Sequence, residues 1–285
     1  MQLNAADVPR FAHTKTTLAS KPRGSTPLDP TAFRLSVLIP VYNELNTIDT
    51  ILDRVRATGV VKEIICVDDC STDGTRERLI ELRDAGFIDR LIFQQRNGGK
   101  GKAIRTAISA STGDVVIVQD ADLEYDPHDW EALLFPIVSG KADACFGSRF
   151  LGGPHRVLYY WHSVGNHLLT TFSNMMTNLN LTDMETCYKA IRGDLARSLT
   201  LTSDRFGFEP EITARLAQRD ARIYEVPISY AGRTYAEGKK INWRDGVAAF
   251  WHVLRFNLAN EGIPVVATAP IPVEREARGL TPATD

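Results

Sequence analysis

The sequence has 285 residues, of which 44% are hydrophobic and 24% are charged, as in an ordinary globular protein. The formal net charge of −2 offers no general attraction for nucleic acid or an anionic membrane, so we expect no nucleic-acid partner. The cysteines show neither a CxxC pair nor metal-ligand spacing with histidine, which favours free thiols in a reducing compartment. Without a leader pattern or a run of roughly 18 apolar residues, we expect a cytoplasmic protein that meets a membrane only at its surface.

Strand-like and helix-like segments alternate after an unpatterned arm at residues 1–34. LSVLIPVYNE (35–44) predicts a strand followed by a helix over about 45–57, and EIICVDD (63–69) predicts a second strand followed by a helix through Leu82. RLIFQQ, GKGKAIRTAISAS and DVVIVQD then predict strand, helix and strand. This alternation predicts an α/β domain with a mostly parallel central sheet flanked by helices. Ligands of such sheets bind outside the carboxyl ends of the strands.

Three carboxylates follow the fourth predicted strand at every second position. They are Asp120, Asp122 and Glu124, in VVIVQDADLE (115–124). Crowded carboxylates repel one another and stay ionised most easily beside a cation, and hard oxygen ligands suit Mg²⁺ or Mn²⁺. A solvated acidic turn is the alternative, because polar turns are common at strand ends. The spacing alone leaves both interpretations open.

Residues suited to a nucleotide leave the first two strands at the same predicted edge. Pro40, Tyr42 and Glu44 end the first strand, and Asp68 and Asp69 end the second. Carboxylates suit ribose hydroxyls and base N–H groups, and a tyrosine ring can stack on a base. Each residue could instead act locally, Asp69 by capping a helix and Tyr42 by packing. Their joint position favours a nucleotide site.

A glycine-rich basic segment, NGGKGKAIR (97–105), opens the third predicted helix. A helix N-terminus with Lys100, Lys102 and Arg105 suits a diphosphate, and we assign Lys102 to the nucleotide. The segment lacks the GxxxxGK[ST] P-loop and the GxGxxG fingerprint, which disfavours a P-loop NTPase and a dehydrogenase. Nucleotide, diphosphate and divalent metal are the combination that these residues support.

The ordered set VLIPVYNE, VDDCSTDGT, GKAIRTAISASTGDVVIVQDADLEYDP and GSRF resembles glycosyltransferase family 2, in particular its dolichol-phosphate mannose synthase-like (polyprenyl-phosphate hexosyltransferase) branch. The resemblance implies a GT-A fold, a GDP- or UDP-hexose donor, a Mg²⁺ or Mn²⁺ ion held by a DxD motif, and inversion at the anomeric carbon. It assigns the nucleotide to Pro40, Tyr42, Glu44 and Asp69. It assigns the DxD motif to Asp120 and Asp122, with Glu124 where relatives often have Gln or another polar residue.

The second half of the chain carries candidate ligands for an acceptor phosphate. In the branch named above, an Arg after GS, an Arg in the following loop and an RxxGxSK segment form this set, and the last reads RTYAEGK here. The resemblance therefore assigns Arg149, Arg156, Arg233 and Lys239 to the acceptor phosphate. Solvated surface cations are the alternative interpretation.

The acidic segment LTDMETCYKAIR (181–192) resembles the part of the family that approaches the acceptor. Asp183 is the matching acid and joins Asp120 and Asp122 in the predicted catalytic set, and Glu185 is a second candidate. A hydroxyl acceptor needs a general base, whereas a phosphate monoester, with a second pKa near about 6, is largely dianionic at neutral pH and attacks without one. Asp183 as a base and Asp183 as an orienting group both remain open.

Two amphipathic segments lie in the second half. Residues 160–181 have apolar side chains at helical spacing, which predicts a helix packed on the core. Residues 242–259 place aromatic and aliphatic side chains on one helical face, for which core packing and membrane contact are equally compatible. We divide the chain into a flexible arm (1–34), a GT-A catalytic domain (35–232), a basic loop with an amphipathic helix (233–260) and a flexible tail (261–285).

The leading hypothesis from the sequence is an inverting transferase that moves mannose or glucose from a nucleotide-diphosphate sugar to a polyprenyl (dolichyl or undecaprenyl) phosphate. It would act at the cytosolic membrane face, to which a membrane-anchored partner could recruit the enzyme. A family 2 enzyme that acts on a saccharide or small hydroxyl acceptor is the alternative. A non-catalytic nucleotide-sugar-binding protein is a more remote one.

Overall fold

A computed structural model describes residues 26–152, 155–157, 159–205, 207–233 and 243–258. Its strands are β1 (Leu35–Val41), β2 (Val61–Asp68), β3 (Arg90–Phe93), β4 (Val115–Val118), β5 (Ala144–Ser148), β6 (Lys189–Arg192) and β7 (Ile223–Pro227). In the described residues they form one sheet in the order β3-β2-β1-β4-β6-β5-β7. β6 runs antiparallel to both of its neighbours, and the other pairs are parallel. The predicted mostly parallel sheet is confirmed.

The helices connect these strands as the alternation predicted. They are α1 (Ile48–Ala57), α2 (Thr75–Asp84), α3 (Lys100–Ala110), α4 (Trp130–Val138), α5 (Tyr160–Thr177), α6 (Gly193–Ser198), α7 (Phe208–Gln218) and α8 (Trp243–Leu258). A 3₁₀ turn at Pro127–Asp129 leads into α4. The predicted start of α1 near Leu45 is three residues early, because the carbonyl of Glu44 accepts hydrogen bonds from the N–H groups of Thr47 and Ile48 in a preceding turn.

The central strands are buried on both faces, which explains their continuous apolar runs. In β1, Val37 and Ile39 face a core that includes side chains of α1, α2 and α4, whereas Leu38 faces the core on the other side of the sheet. That second core includes side chains of α3, α5, α6, α7 and α8. Successive side chains of a strand point to opposite faces, so one run of apolar residues supports both helix layers.

The sheet order brings the acidic strand ends together. β1 lies between β2 and β4, with Val41 paired to Asp68 on one side and Leu38 paired to Val118 on the other. All three strands are parallel, so their carboxyl ends share one edge of the sheet. The residues that leave β1, β2 and β4 therefore meet at the crevice where ligands of α/β sheets bind.

Helices α5 and α8 pack on each other at the far side of the second core. The rings of Phe172 in α5 and Phe250 in α8 lie 5.6 Å apart. In α5, Leu169 is buried, but Leu168 and Met175 are exposed. The prediction of a core helix is therefore right for the face of α5 that carries Leu169 and wrong for the adjacent face with Leu168 and Met175, whose side chains point to solvent.

Candidate active site

Four acidic and basic side chains meet at the carboxyl ends of β1 and β4. The Arg233 guanidinium donates to the Asp122 carboxylate (Nη2 to Oδ2, 2.8 Å) and approaches Glu124 (Nε to Oε1, 3.3 Å). It also lies 3.5 Å from Glu44 (Nη1 to Oε2). Tyr230 donates its hydroxyl to the other oxygen of Glu124 at 2.8 Å. One arginine from the second half of the chain thus joins the acids predicted to hold the donor.

The Asp122 carboxylate lies in a site with excess negative charge. Burial raises its pKa, the neighbouring Asp120 and Glu124 raise it further, and together they bring it to about 7 although Arg233 opposes them. Like charges in a partly desolvated cluster favour the protonated form of one member. Arg233 therefore compensates the cluster incompletely, and one more cation would be stabilised there.

Asp120 pairs with a lysine from the start of α3. The Lys100 ammonium lies 2.7 and 2.8 Å from the two Asp120 carboxylate oxygens, 2.7 Å from the Cys187 sulfur and 3.8 Å from a carboxylate oxygen of Glu209. The Asp120 charge raises the pKa of Lys100 despite the opposing effect of burial. Lys100, considered above for a diphosphate, is here a partner of the DxD motif.

The remaining predicted nucleotide residues occupy the same edge. Tyr42 is exposed at the end of β1, Pro40 is half-buried within it, and Glu44 follows. The Asp69 carboxylate accepts hydrogen bonds from the N–H groups of Gly98 (2.8 Å) and Gly99 (2.6 Å). Asp69 therefore fixes the glycine-rich loop, and its assignment to the nucleotide stays a prediction.

The N-terminus of α3 makes protein contacts of its own. Gly99 has a φ of 85°, and a Cβ there would lie 2.8 Å from the Asp204 carbonyl oxygen. The N–H of Lys102 donates to that same carbonyl at 2.9 Å, and Arg105 pairs with the Asp204 side chain. Because these N–H groups already have partners, the prediction that Lys102 and this helix end bind a diphosphate finds no further support here.

The predicted acceptor side is built around a buried ion pair. Arg149, just after β5, donates to both carboxylate oxygens of Asp183 (Nε to Oδ2, 2.6 Å; Nη2 to Oδ1, 2.7 Å), and its backbone N–H donates to Asp183 at 3.1 Å. Asn166 of α5 donates to the same carboxylate at 3.3 Å. Asp183 is fully buried, and Arg149 lies over the Tyr230 ring at 5.2 Å. Asp183 thus holds Arg149 in place.

Arg156 and Arg233 lie close to this pair. The Arg156 N–H donates to the Tyr230 carbonyl (2.8 Å), and its guanidinium approaches the Gly232 carbonyl (3.3 Å). Arg156 therefore contacts the segment that carries Arg233, while Arg149 contacts the tyrosine ring of that segment. The fourth predicted phosphate ligand, Lys239, lies outside the described residues.

A buried charged cluster lies beneath the site and was not anticipated as a group. Lys189 of β6 is fully buried, donates to the Met184 and Thr186 carbonyls, and lies over the Phe146 ring at 4.6 Å. Burial and the nearby Glu209 together raise the pKa of Glu185 to about 8. The Glu185 Oε1 atom is buried and has no hydrogen-bond partner among the described residues. The sequence signal was Lys189 inside an apolar strand.

The chemistry of the donor set fits a divalent cation. Asp120, Asp122 and Glu124 supply hard oxygen ligands, and the raised pKa of Asp122 marks uncompensated negative charge. In the described parts of the chain, no three His, Cys, Asp or Glu side chains come together as a metal-binding group. Lys100 and Arg233 occupy the carboxylates instead. The assignment of Asp120, Asp122 and Glu124 as metal ligands stays a prediction.

The fold and site together define a glycosyltransferase of the GT-A type: a mostly parallel sheet, with acids from β1, β2 and β4 at one edge and basic side chains beside them. A family comparison agrees, since residues 36–200 match the Glycosyl transferase family 2 model. The chain belongs to glycosyltransferase family 2. The predicted family, GT-A fold and enzyme class are confirmed.

Curated relatives cover most of the chain. Glycosyltransferase AglJ of Haloferax volcanii is 31% identical over 230 residues, which cover 79% of this chain and 73% of that protein. Undecaprenyl-phosphate mannosyltransferase of Micrococcus luteus is 29% identical over 245 residues, covering 79% of this chain and 99% of that protein. The branch expected from the sequence, that of polyprenyl-phosphate hexosyltransferases, is consistent with both relatives.

Solved structures share the fold at low sequence identity. Glucosyl-3-phosphoglycerate synthase from Mycobacterium tuberculosis, in complex with Mn²⁺, uridine diphosphate and glucosyl-3-phosphoglycerate, superposes with a TM-score of 0.62 at 20% identity. The match covers 81% of this chain and 82% of that one. A complex of the same enzyme with Mg²⁺ and uridine diphosphate gives a TM-score of 0.61.

Within the described residues of the present chain, no helix is long and apolar enough to cross a membrane.

Proposed function

We propose that this enzyme transfers a hexose, mannose or glucose, from a GDP- or UDP-sugar to a polyprenyl phosphate at the cytosolic membrane face, with inversion at the anomeric carbon. The observation that carries the proposal is the junction at Arg233. This side chain binds the predicted donor acids Asp122 and Glu124, and its own segment contacts Arg156. The two predicted half-sites therefore share one crevice, where a leaving diphosphate and an attacking phosphate would meet.

On the donor side, the protein would hold the nucleotide and its charge. A Mg²⁺ or Mn²⁺ ion would be held by Asp120, Asp122 and Glu124. When bound, it would neutralise the charge that develops on the leaving diphosphate. Lys100 fixes Asp120, and Tyr230 fixes Glu124. These contacts hold Asp120 and Glu124 at the edge of the sheet where the donor would bind.

On the acceptor side, Arg149 would bind the phosphate. The Asp183 carboxylate accepts hydrogen bonds from Nε and Nη2 of Arg149, which fixes the guanidinium plane beside Tyr230. The carboxylate of Asp183 is fully buried and already accepts these hydrogen bonds and one from Asn166. A phosphate acceptor attacks as the dianion and needs no base. We therefore assign Asp183 to the positioning of Arg149 rather than to proton removal.

The acceptor assignment also draws on a named relative. The Micrococcus luteus protein is described as an undecaprenyl-phosphate mannosyltransferase, and the match covers 99% of its length. A polyprenyl phosphate joins a charged head to an apolar chain, so an enzyme that uses it needs basic side chains near a lipid-facing surface. Arg149 and Arg156 supply the basic side chains on the described part of the chain.

Transfer to a lipid can be measured directly. The enzyme is incubated with Mn²⁺, labelled GDP- or UDP-hexoses and a polyprenyl phosphate, and the products are extracted into organic solvent. Label that enters the organic phase with one donor, and only when the polyprenyl phosphate is present, supports the proposal. Label that stays in the aqueous phase with every donor contradicts it.

A hydroxyl acceptor is the second candidate, and Glu185 is the observation in its favour. The Glu185 Oε1 atom is buried without a hydrogen-bond partner among the described residues, and its pKa is raised to about 8. A carboxyl group with such a pKa is suited to general base catalysis near neutral pH. If the enzyme glycosylates a saccharide or a small hydroxyl compound, Glu185→Gln should lower kcat strongly. Under the polyprenyl phosphate proposal, kcat of this variant should change little.

A further inference from the structure

Helix α5 presents a narrow apolar stripe to solvent. Trp161, Leu168 and Met175 are spaced seven residues apart, which places them on one helical face, two turns from one to the next. They are 77%, 58% and 76% exposed. The buried face of α5 carries Leu169, Thr170 and Ser173, and the partly buried Phe172 lies beside the exposed side chains. We call Trp161, Leu168 and Met175 the α5 stripe.

The neighbouring helix extends this exposed apolar surface. Trp251 and Leu258 of α8 are also seven residues apart and are 63% and 74% exposed. The two helices contact each other through the rings of Phe172 and Phe250. Exposed aromatic and aliphatic side chains on adjacent helices are uncommon unless the surface meets an apolar partner.

The charge around the α5 stripe is one-sided. The sequence has no Asp or Glu between Asp143 and Asp183, a segment that includes all of α5. Arg156, shortly before α5, and Arg255 of α8 are exposed cations in the same region. A surface with apolar and aromatic side chains, basic neighbours and no acid on α5 complements an anionic lipid surface.

The stripe also begins close to the predicted acceptor side. Asn166 of α5 donates to Asp183, which holds Arg149. From Trp161 to Met175 the helix rises about 21 Å. Asn166 lies between Trp161 and Leu168 along α5, so the stripe passes the acceptor side on the exposed face of the helix. A lipid acceptor whose phosphate binds at Arg149 would have its bilayer within reach of this helix.

We propose that the α5 stripe docks the enzyme on the surface of an anionic phospholipid bilayer, with Trp161 inserted at the interface. Tryptophan favours the membrane interface because its ring is apolar and its N–H remains hydrogen-bonded. A line of single side chains is narrow for a stable protein interface, which buries about 800 Å² per partner. The choice of a bilayer rests on the proposed lipid acceptor, but docking itself requires neither donor nor acceptor.

Flotation with lipid vesicles tests the docking surface. The full chain is mixed with phosphatidylcholine vesicles that contain phosphatidylglycerol, without donor, metal or polyprenyl phosphate. We expect the wild type to float with the vesicles. The partition coefficient of the triple variant Trp161→Ser, Leu168→Ser, Met175→Ser should be lower by about tenfold or more, because three apolar side chains leave the interface. Its melting temperature should stay close to that of the wild type, since all three side chains are exposed.

A matched control removes an exposed apolar side chain elsewhere. Phe135 of α4 is 60% exposed and belongs to the helix layer on the other face of the sheet. The variant Phe135→Ser should float like the wild type. A second readout is the quenching of tryptophan fluorescence by lipids with brominated chains, which Trp161→Phe should reduce.

Three outcomes would overturn the docking proposal. The wild type remains unbound, the triple variant floats as well as the wild type, or the wild type is a dimer that the triple variant dissociates. Sugar transfer to a short, water-soluble polyprenyl phosphate without vesicles tests the proposed function separately. There the triple variant should match the wild type. Docking without such transfer would contradict the proposed function and leave the docking surface in place.

Discussion

The predicted donor and acceptor sides of the crevice differ in how the charges of their side chains are balanced. On the donor side, Asp120, Asp122 and Glu124 crowd together, and burial and mutual repulsion raise the pKa of Asp122 to about 7. On the acceptor side, Arg149 and Asp183 neutralise each other through a buried pair with two hydrogen bonds. The predicted donor side therefore keeps uncompensated negative charge, whereas the carboxylate of the predicted acceptor side is balanced by a protein cation. Substitutions on the two sides should then separate activity from stability.

The largest expected effect is on activity, from the donor side. Asp122→Asn should lower the transfer rate by about 10³-fold or more, because the leaving diphosphate loses its charge compensation. The free energy of unfolding without metal should stay constant or rise, since one of three repelling carboxylates is gone. Transfer assays and thermal unfolding measure the two quantities. An active variant, or one that unfolds far more easily, would contradict this assignment.

The next largest effect is on stability, from the acceptor side. Asp183→Asn leaves the Arg149 guanidinium buried without its counter-charge, which typically costs about 3–5 kcal/mol. The melting temperature should fall by roughly 10 °C. Thermal unfolding at neutral pH measures the change. A variant as stable as the wild type would show that Asp183 does not support Arg149.

A second ion pair provides a control for that substitution. Asp143 also binds an arginine through two hydrogen bonds, to Nε and Nη2 of Arg222 at 3.0 and 2.9 Å. The Arg222 side chain is more exposed than that of Arg149, so solvent screens the pair. Asp143→Asn should therefore destabilise the protein clearly less than Asp183→Asn. Equal losses of stability in the two variants would contradict the idea that burial makes the Arg149–Asp183 pair the more important one.

A smaller effect is expected on metal affinity, from Arg233, which lies between the two sides. The Arg233 guanidinium binds the acids that would hold the cation, so cation and guanidinium compete for the same oxygens. Arg233→Ala should tighten Mn²⁺ binding about three- to tenfold in the absence of substrates. Titration calorimetry measures the affinity. Weaker binding in the variant would mean that Arg233 supports the cation site rather than competing for it.

The sequence predicted that the acids of the proposed donor side lie at one edge of the sheet, because the signals for their position are local. Each acid follows a buried apolar strand within a few residues, and parallel strands bring their carboxyl ends to one edge. The position of Asp120 and Asp122 at this edge, beside Glu44, therefore followed from the alternation of strands and helices. Arg233 as their partner did not, because it comes from more than a hundred residues later in the chain.

The acceptor side was less predictable because it depends on strand order. β6 is inserted antiparallel between β4 and β5, an arrangement that an alternating pattern does not reveal. Arg149 and Asp183 were therefore assigned to separate roles, although they form one pair. For α5, periodicity indicated a helix but not which apolar side chains are buried, because the neighbouring Leu168 and Leu169 differ, the first exposed and the second buried.

The last expected effect is on the pH dependence of stability and concerns the buried carboxyl group between the two sides. Burial and the charge of Glu209 raise the pKa of Glu185 from its ordinary 4.5 to about 8. Between these values the folded protein keeps a proton that the unfolded chain has released, so the free energy of unfolding falls as pH rises through this range. Glu185→Gln cannot titrate and should avoid that loss. The melting temperature of the variant should exceed that of the wild type by several degrees more at about pH 8.5 than at about pH 5. Parallel pH profiles of the two melting temperatures would show that Glu185 is already ionised in the folded protein, which would contradict the raised pKa.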